Sequence, residues 1–90
     1  MIALVPVRAG LPALGAGEAV AEAGGRVLLI GSGTAAAVEA LPAGTTEVLL
    51  AEAGDYRPAA WAEALAGQFA GEPVILLPAS ADGRDLAPRL

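Results

Sequence analysis

The sequence has no cysteine and no histidine, and its five basic residues are all arginines. Without thiols or imidazoles the chain is unable to form a disulfide, a thiol nucleophile, an imidazole-dependent triad or a structural zinc site. Positive charge is also scarce: five Arg stand against ten acids, for a formal net charge of −5. That balance is repelled by phosphate backbones and anionic membrane surfaces, so no nucleic-acid partner is expected. Long apolar runs are missing too. Mean hydropathy is +0.62, yet the longest uncharged stretch, Val27 to Val38, has 12 residues, against the roughly 20 a membrane-spanning helix needs. The N-terminus has no basic region ahead of an apolar one, and Arg8 interrupts it; it does not read as a signal peptide, and a cytoplasmic location is the expectation.

What is present fits one small domain over residues 1–90. Apolar residues are 56% of the chain, but 23 are Ala and 23 are Leu, Ile or Val, which predicts a shallow core. A chain this short buries about 60–65% of its unfolded surface and is only marginally stable alone.

Four runs rich in Val, Ile and Leu read as buried strands: Ile2–Val7, Arg26–Ile30, Glu47–Ala51 and Val74–Pro78. Val27-Leu28-Leu29-Ile30 and Val74-Ile75-Leu76-Leu77 are continuously apolar, as strands covered on both faces are. Helical segments lie between. Gly15–Ala23 carries Ala16, Ala19, Val20 and Ala23 on one face and stops at Gly24-Gly25. Thr34–Leu41 is short, with Thr34 as a candidate N-cap and Pro42 as its end. From Pro58 onward, Trp61, Leu65 and Phe69 form an apolar stripe. A fourth helix is expected from about Arg84, with Pro88 in its first turn and only seven residues before the chain stops, as if cut within an element. Strand and helix alternate, which predicts an α/β fold: an open, twisted parallel sheet of four strands with flanking helices.

Two turns at strand ends are candidate binding segments, because helix N-termini at the carboxyl edge of an α/β sheet offer free N–H groups to anions. After the fourth strand, Ser80 is a candidate hydroxyl donor to a phosphate, Gly83 a place of close backbone approach, and Arg84 a counter-charge; Asp82 and Asp85 oppose a phosphate and equally serve as an N-cap and a first-turn helix charge. After the second strand, Gly31-Ser32-Gly33-Thr34-Ala35-Ala36 matches G-x-G-x-x-A, with Glu52 where a dinucleotide fold keeps its ribose-binding acid. The compressed helix behind it favours an ordinary strand-to-helix turn. Trp61 reads as core or a docking surface. Tyr56 and Arg57, in a loop with an Asx-type turn, suit a protein interface, and Glu18, Glu22, Glu39 and Glu63 read as solvated helix faces. No catalytic or metal-binding residue is assigned.

The run Gly83-Arg84-Asp85-Leu86-Ala87-Pro88-Arg89-Leu90, placed after Val74-Ile75-Leu76-Leu77, resembles the GRDLAPRL segment of the N-terminal domain of the electron transfer flavoprotein alpha subunit. Two stretches depart from that family: Ala79-Ser80-Ala81-Asp82 replaces a Thr-rich sequence, and Val5-Pro6-Val7-Arg8 replaces an acidic, His-containing strand end. These departures resemble the divergent alpha subunit associated with mycofactocin systems. The resemblance implies an adenine nucleotide alpha hydrolase-like fold with strand order 3-2-1-4, truncated at its C-terminus, and a heterodimer with a beta subunit. It also implies FAD in a C-terminal domain absent from these residues, AMP in the partner subunit, and electron transfer from dehydrogenases. The loop holding Ser80, Gly83 and Arg84 would then shape the fold and a subunit contact. The alternative is a small universal-stress-type protein binding AMP or ATP at the loop after the fourth strand, against which the solitary Gly83 counts. A dinucleotide-dependent enzyme using Gly31 and Gly33 is a third reading.

Overall fold

The computed structural model describes residues 1–69, 71–72 and 74–90. Strand β1 (Ile2–Arg8) leads into a two-residue strand β2 (Leu11–Pro12), helix α1 (Ala16–Glu22), strand β3 (Arg26–Gly31) and helix α2 (Thr34–Ala37) with a 3₁₀ turn at Val38–Ala40. Strand β4 (Glu47–Glu52), helix α3 (Pro58–Ala66), strand β5 (Ile75–Leu76) and helix α4 (Ala81–Leu86), which tightens to a 3₁₀ turn at Ala87–Arg89, complete the chain. The result is a small α/β domain built on an open, mixed sheet of five strands.

The long pairings are parallel. β1 runs beside β3 from Ala3↔Val27 to Val7↔Gly31, and β3 beside β4 from Arg26↔Glu47 to Gly31↔Glu52. The other side of β1 is shared: β5 pairs in parallel at Ile2↔Ile75 and Ala3↔Leu76, and β2 pairs antiparallel at Val7↔Pro12 and Arg8↔Leu11. The four parallel strands therefore lie in the order β4-β3-β1-β5. An all-parallel sheet is not what forms, because the positive φ at Ala9 and Gly10 (50° and 81°) folds the chain back on β1 before α1 begins.

Two apolar layers flank the sheet. Ala3, Val5, Val7, Val27 and Leu29 face Ala16, Ala19 and Val20 of α1 and Ala37 of α2. Ile2, Leu4, Leu28 and Ile30 face Trp61, Leu65, Phe69 and Leu86. The alternation along each inner strand sends successive side chains to opposite layers, so a continuously apolar run is needed there. The first layer is lined by alanines, which lets α1 approach closely. The second is filled by the bulkier stripe of α3, as Pro58 opens that helix at its first position.

Three local expectations are corrected. β4 is a strand but not a buried one: Leu49 and Leu50 are 36% and 49% exposed, because β4 is the outermost strand and no helix covers either of its faces fully. Thr34 is the first helical residue and not the N-cap, which is Gly33 at φ 71°; the helix is four residues long before it tightens. The last helix begins at Ala81, three residues ahead of Arg84, because the Ser80 hydroxyl accepts a hydrogen bond from the Gly83 N–H at 3.0 Å and caps it. Pro88 accordingly falls in the closing 3₁₀ turn and not in the first turn.

Candidate functional site

The carboxyl edge of the sheet brings together the turns after β1, β3 and β4 and the start of α4, and so most of the sequence candidates. The physical question is whether their donors are free. Glu52, at the end of β4, accepts from the Gly33 N–H at 2.9 Å, the Thr34 N–H at 2.9 Å and the Thr34 hydroxyl at 2.8 Å. These amides are the ones a pyrophosphate would use in the G-x-G-x-x-A reading, and the chain fills them with its own carboxylate. The Thr34 and Gly33 backbone bonds, followed by the Thr34 hydroxyl, hold the Glu52 carboxyl below the ordinary Glu range. Glu52 is thus a cap on α2, where sequence reading had it as a candidate ribose ligand.

The glycines of that turn serve contact between backbones. A Cβ at Gly31 (φ 141°) would overlap the Val7 carbonyl oxygen, and one at Gly33 would stand 2.5 Å from the Gly10 nitrogen. The turns after β1 and β3 are pressed together, tied further by the Ser32 hydroxyl accepting from the Ala9 N–H at 2.8 Å and by Gly10 N–H to Ser32 carbonyl at 3.0 Å.

The same holds at the loop before α4. Ser80, expected as a phosphate donor, is engaged as the cap, and a Cβ at Gly83 would overlap the Pro78 carbonyl oxygen. Gly83 is buried against its own loop and presents no open backbone. Arg84 is exposed, and its guanidinium donates to the Ala79 carbonyl at 3.4 Å. Ser80, Gly83 and Arg84 are therefore neighbours at the start of α4, as sequence spacing requires, but the first two are used in capping and packing it.

A second cluster closes the space between β1, the loop after β4 and α4. Arg8 makes a two-pronged contact with Asp82, at 2.7 and 2.8 Å, and its guanidinium lies 4.9 Å from the centre of the Tyr56 ring. The hydrogen bond from Arg8, partly opposed by burial, holds the Asp82 carboxyl below the usual Asp range. The Tyr56 hydroxyl donates to the Asp85 carboxylate at 2.8 Å and lies 3.3 Å from the Asp82 carbonyl, and its ring meets Trp61 edge-on at 5.1 Å. Burial, and then the hydrogen bond to Asp85, push the Tyr56 hydroxyl up to about 12. Tyr56 is half-buried and ties the loop after β4 to α4, while Arg57 beside it is exposed. Sequence reading missed Arg8–Asp82 altogether; 74 residues separate the partners, and only the β1–α4 juxtaposition brings them together.

Elsewhere Trp61 is core, at 3% exposure, and its indole Nε1 is buried with no hydrogen-bond partner among the described residues. Arg26 links Glu47 (3.1 Å) and Glu72 (2.8 Å) at the amino edge. Among the described residues no group of three or more acidic side chains is placed to hold a metal ion, and no helix is long and apolar enough to cross a membrane. Compared with protein families, with curated proteins and with solved structures, the chain matches none.

Proposed function

We propose that this chain is a docking and scaffold domain of the kind found at the N-terminus of the electron transfer flavoprotein alpha subunit. In that role it pairs with a beta subunit in the cytoplasm and supports electron flow from dehydrogenases through FAD bound outside these ninety residues. It carries no catalytic residue of its own, and any AMP of the assembly lies in the partner subunit. The observation that carries the reading is the occupation of the sheet's carboxyl edge: the amides of Gly33, Thr34 and Gly83, where an α/β domain would take a phosphate, are engaged by Glu52 and Ser80. A nucleotide at either loop would have to displace those groups first. The GRDLAPRL segment adds to this, since its glycine and leucine have structural roles: Gly83 is pressed on Pro78 and Leu86 is fully buried beneath β1 and α3.

The test is reconstitution. The ninety-residue chain is mixed with the electron transfer flavoprotein beta subunit of the same genome and with FAD, then resolved by gel filtration. Co-elution with the beta subunit, with no flavin absorbance retained by the ninety residues alone, is the expected result; stoichiometric FAD on the isolated chain, or no association with the beta subunit, refutes the proposal.

A further inference from the structure

We propose, independently of the family reading, that Trp61 and Tyr56 form an electron relay that carries a one-electron oxidising equivalent from the apolar layer under α3 to the surface, with Asp85 taking the phenol proton.

The chain has one Trp, one Tyr, no Cys and no His, and its single Met is the first residue. Trp61 is 3% exposed and lies among Ile2, Leu4, Leu65 and Phe69, none of which gives up an electron as readily as an indole. Tyr56 meets it edge to face, with ring centres 5.1 Å apart and planes at 87°, close enough for an electron to pass directly between the rings.

The protons set the direction of transfer. An indole that has lost an electron becomes acidic, but the Trp61 Nε1 is buried with no hydrogen-bond partner among the described residues. Its proton has no acceptor, so the oxidised indole stays a cation radical and a strong oxidant. A buried unpaired donor costs stability and calls for a reason; keeping that proton in place is the reason offered here. Tyr56 is arranged in the opposite way. Its hydroxyl donates to Asp85 Oδ2 at 2.8 Å, within the distance at which a base takes a proton directly. The Arg8 guanidinium, 4.9 Å from the ring centre, opposes a cationic phenol radical by its charge, so the electron leaves Tyr56 together with the proton. At rest the phenol keeps that proton, because burial and then the hydrogen bond to Asp85 push its hydroxyl up to about 12. Asp85 is 46% exposed, with its other oxygen 3.4 Å from Arg89, and so can release the proton to water.

The cycle balances with two co-reactants. An oxidising radical of the carbonate-radical class takes one electron from Trp61 and leaves as its anion. One electron passes from Tyr56 to the Trp61 cation radical while the phenol proton moves to Asp85 and on to water, which restores the indole and leaves a neutral phenoxyl radical. A reductant of the enediol class, such as ascorbate, returns a hydrogen atom to the phenoxyl oxygen and becomes the enediol radical.

The experiment photoionises Trp61 with a laser flash at a wavelength absorbed by the indole and not by the phenol, in buffer saturated with nitrous oxide to remove the ejected electron, and follows both radicals by transient absorption. In the parent chain the indole cation radical is expected to be replaced by the phenoxyl radical in a first-order step independent of protein concentration. Tyr56→Phe keeps the ring and removes the hydroxyl, and is expected to leave a long-lived indole radical with no phenoxyl. Asp85→Asn keeps an acceptor for the phenol but is unable to take its proton, and is expected to slow the transfer by at least about tenfold. Circular dichroism in the far and near ultraviolet verifies that both variants fold and keep the Tyr56–Trp61 contact. A second readout exposes the parent and Tyr56→Phe to carbonate radicals with ascorbate present: by mass spectrometry Trp61 is expected to survive in the parent and to be oxidised in the variant. The proposal is overturned if no phenoxyl radical forms in the parent, if its formation depends on protein concentration, if the indole loses its proton before the transfer, if Asp85→Asn leaves the rate unchanged, or if Trp61 is oxidised equally in parent and Tyr56→Phe.

Discussion

Leu28 and Leu49 are the same residue type, directly paired in register on neighbouring parallel strands and turned to the same face of the sheet, yet one is 1% exposed and the other 36%. Leu29 and Leu50 repeat the contrast, at 0% and 49%. The difference is position: β1 and β3 have strands on both sides and helices over both faces, whereas β4 has one neighbour and incomplete cover. An apolar run marks a strand; the number of its neighbours decides how much that run contributes to stability. The inner strands are closed at their carboxyl ends as well, by turn packed on turn and by the chain's own carboxylates, while among the described residues no strand pairs with the outer edge of β4 or β5.

The largest effect that sharpens this comparison is at the inner strands' closed end. Gly31→Ala places a methyl group on the Val7 carbonyl and is expected to destabilise by more than about 4 kcal/mol, enough to abolish the cooperative thermal transition. Gly44→Ala, which meets open space although its φ is 90°, is expected to cost about 1 kcal/mol from backbone strain alone. Equal effects of the two in urea unfolding would break the account of tight backbone approach.

Next comes the leucine pair itself. Leu28→Ala is expected to destabilise by about 2–5 kcal/mol, and Leu49→Ala by less than about 1.5 kcal/mol, both read from urea midpoints. Ser80→Ala, which removes the cap of α4, is expected to lower stability by about 1 kcal/mol, and Ser80→Asp to restore most of it.

The smallest effect is the acid dependence. Glu52 and Asp82 have carboxyls depressed by their partners in the folded state, so the unfolded chain takes up their protons first. Their stabilisation is complete above about pH 5 and lost as pH falls below the unfolded values of roughly 4 and through the folded ones. Stability is therefore expected to be flat near neutrality and to decline in acid. Asp82→Asn is expected to flatten that decline, and an unchanged acid limb would contradict the assigned Arg8–Asp82 contact.

How much of this could be read from the sequence follows from the same physics. The α1 stripe, the Pro58 helix and the existence and parallel order of the four strands were legible, since each rests on local periodicity; the last strand, expected over Val74–Pro78 and covered on both faces, is only Ile75–Leu76 and half-buried, with Val74 exposed. The exposure of β4 was not legible, because Glu47–Ala51 is as apolar in its middle as an inner strand and coverage is a property of its neighbours. β2 escaped notice because two residues carry no period, and α4 was begun at Arg84 because Ser80 was weighed as a ligand donor and not as a cap. The candidate site was legible as a location: Gly31, Gly33, Glu52, Ser80 and Gly83 do lie at the carboxyl edge. Their roles were not, because a glycine that admits a ligand and one that admits another backbone leave the same letter in the sequence.

The closure of that edge is the claim on which the functional proposal depends, and amide resonances report it most directly. In a ¹⁵N-labelled sample titrated with ATP, AMP and FAD to millimolar concentration, the Gly33, Thr34 and Gly83 amides are expected to keep their shifts at neutral pH, and the first two to move only as Glu52 takes up a proton in acid. Saturable movement of those three amides at micromolar nucleotide would contradict the account and mark the edge as a binding site.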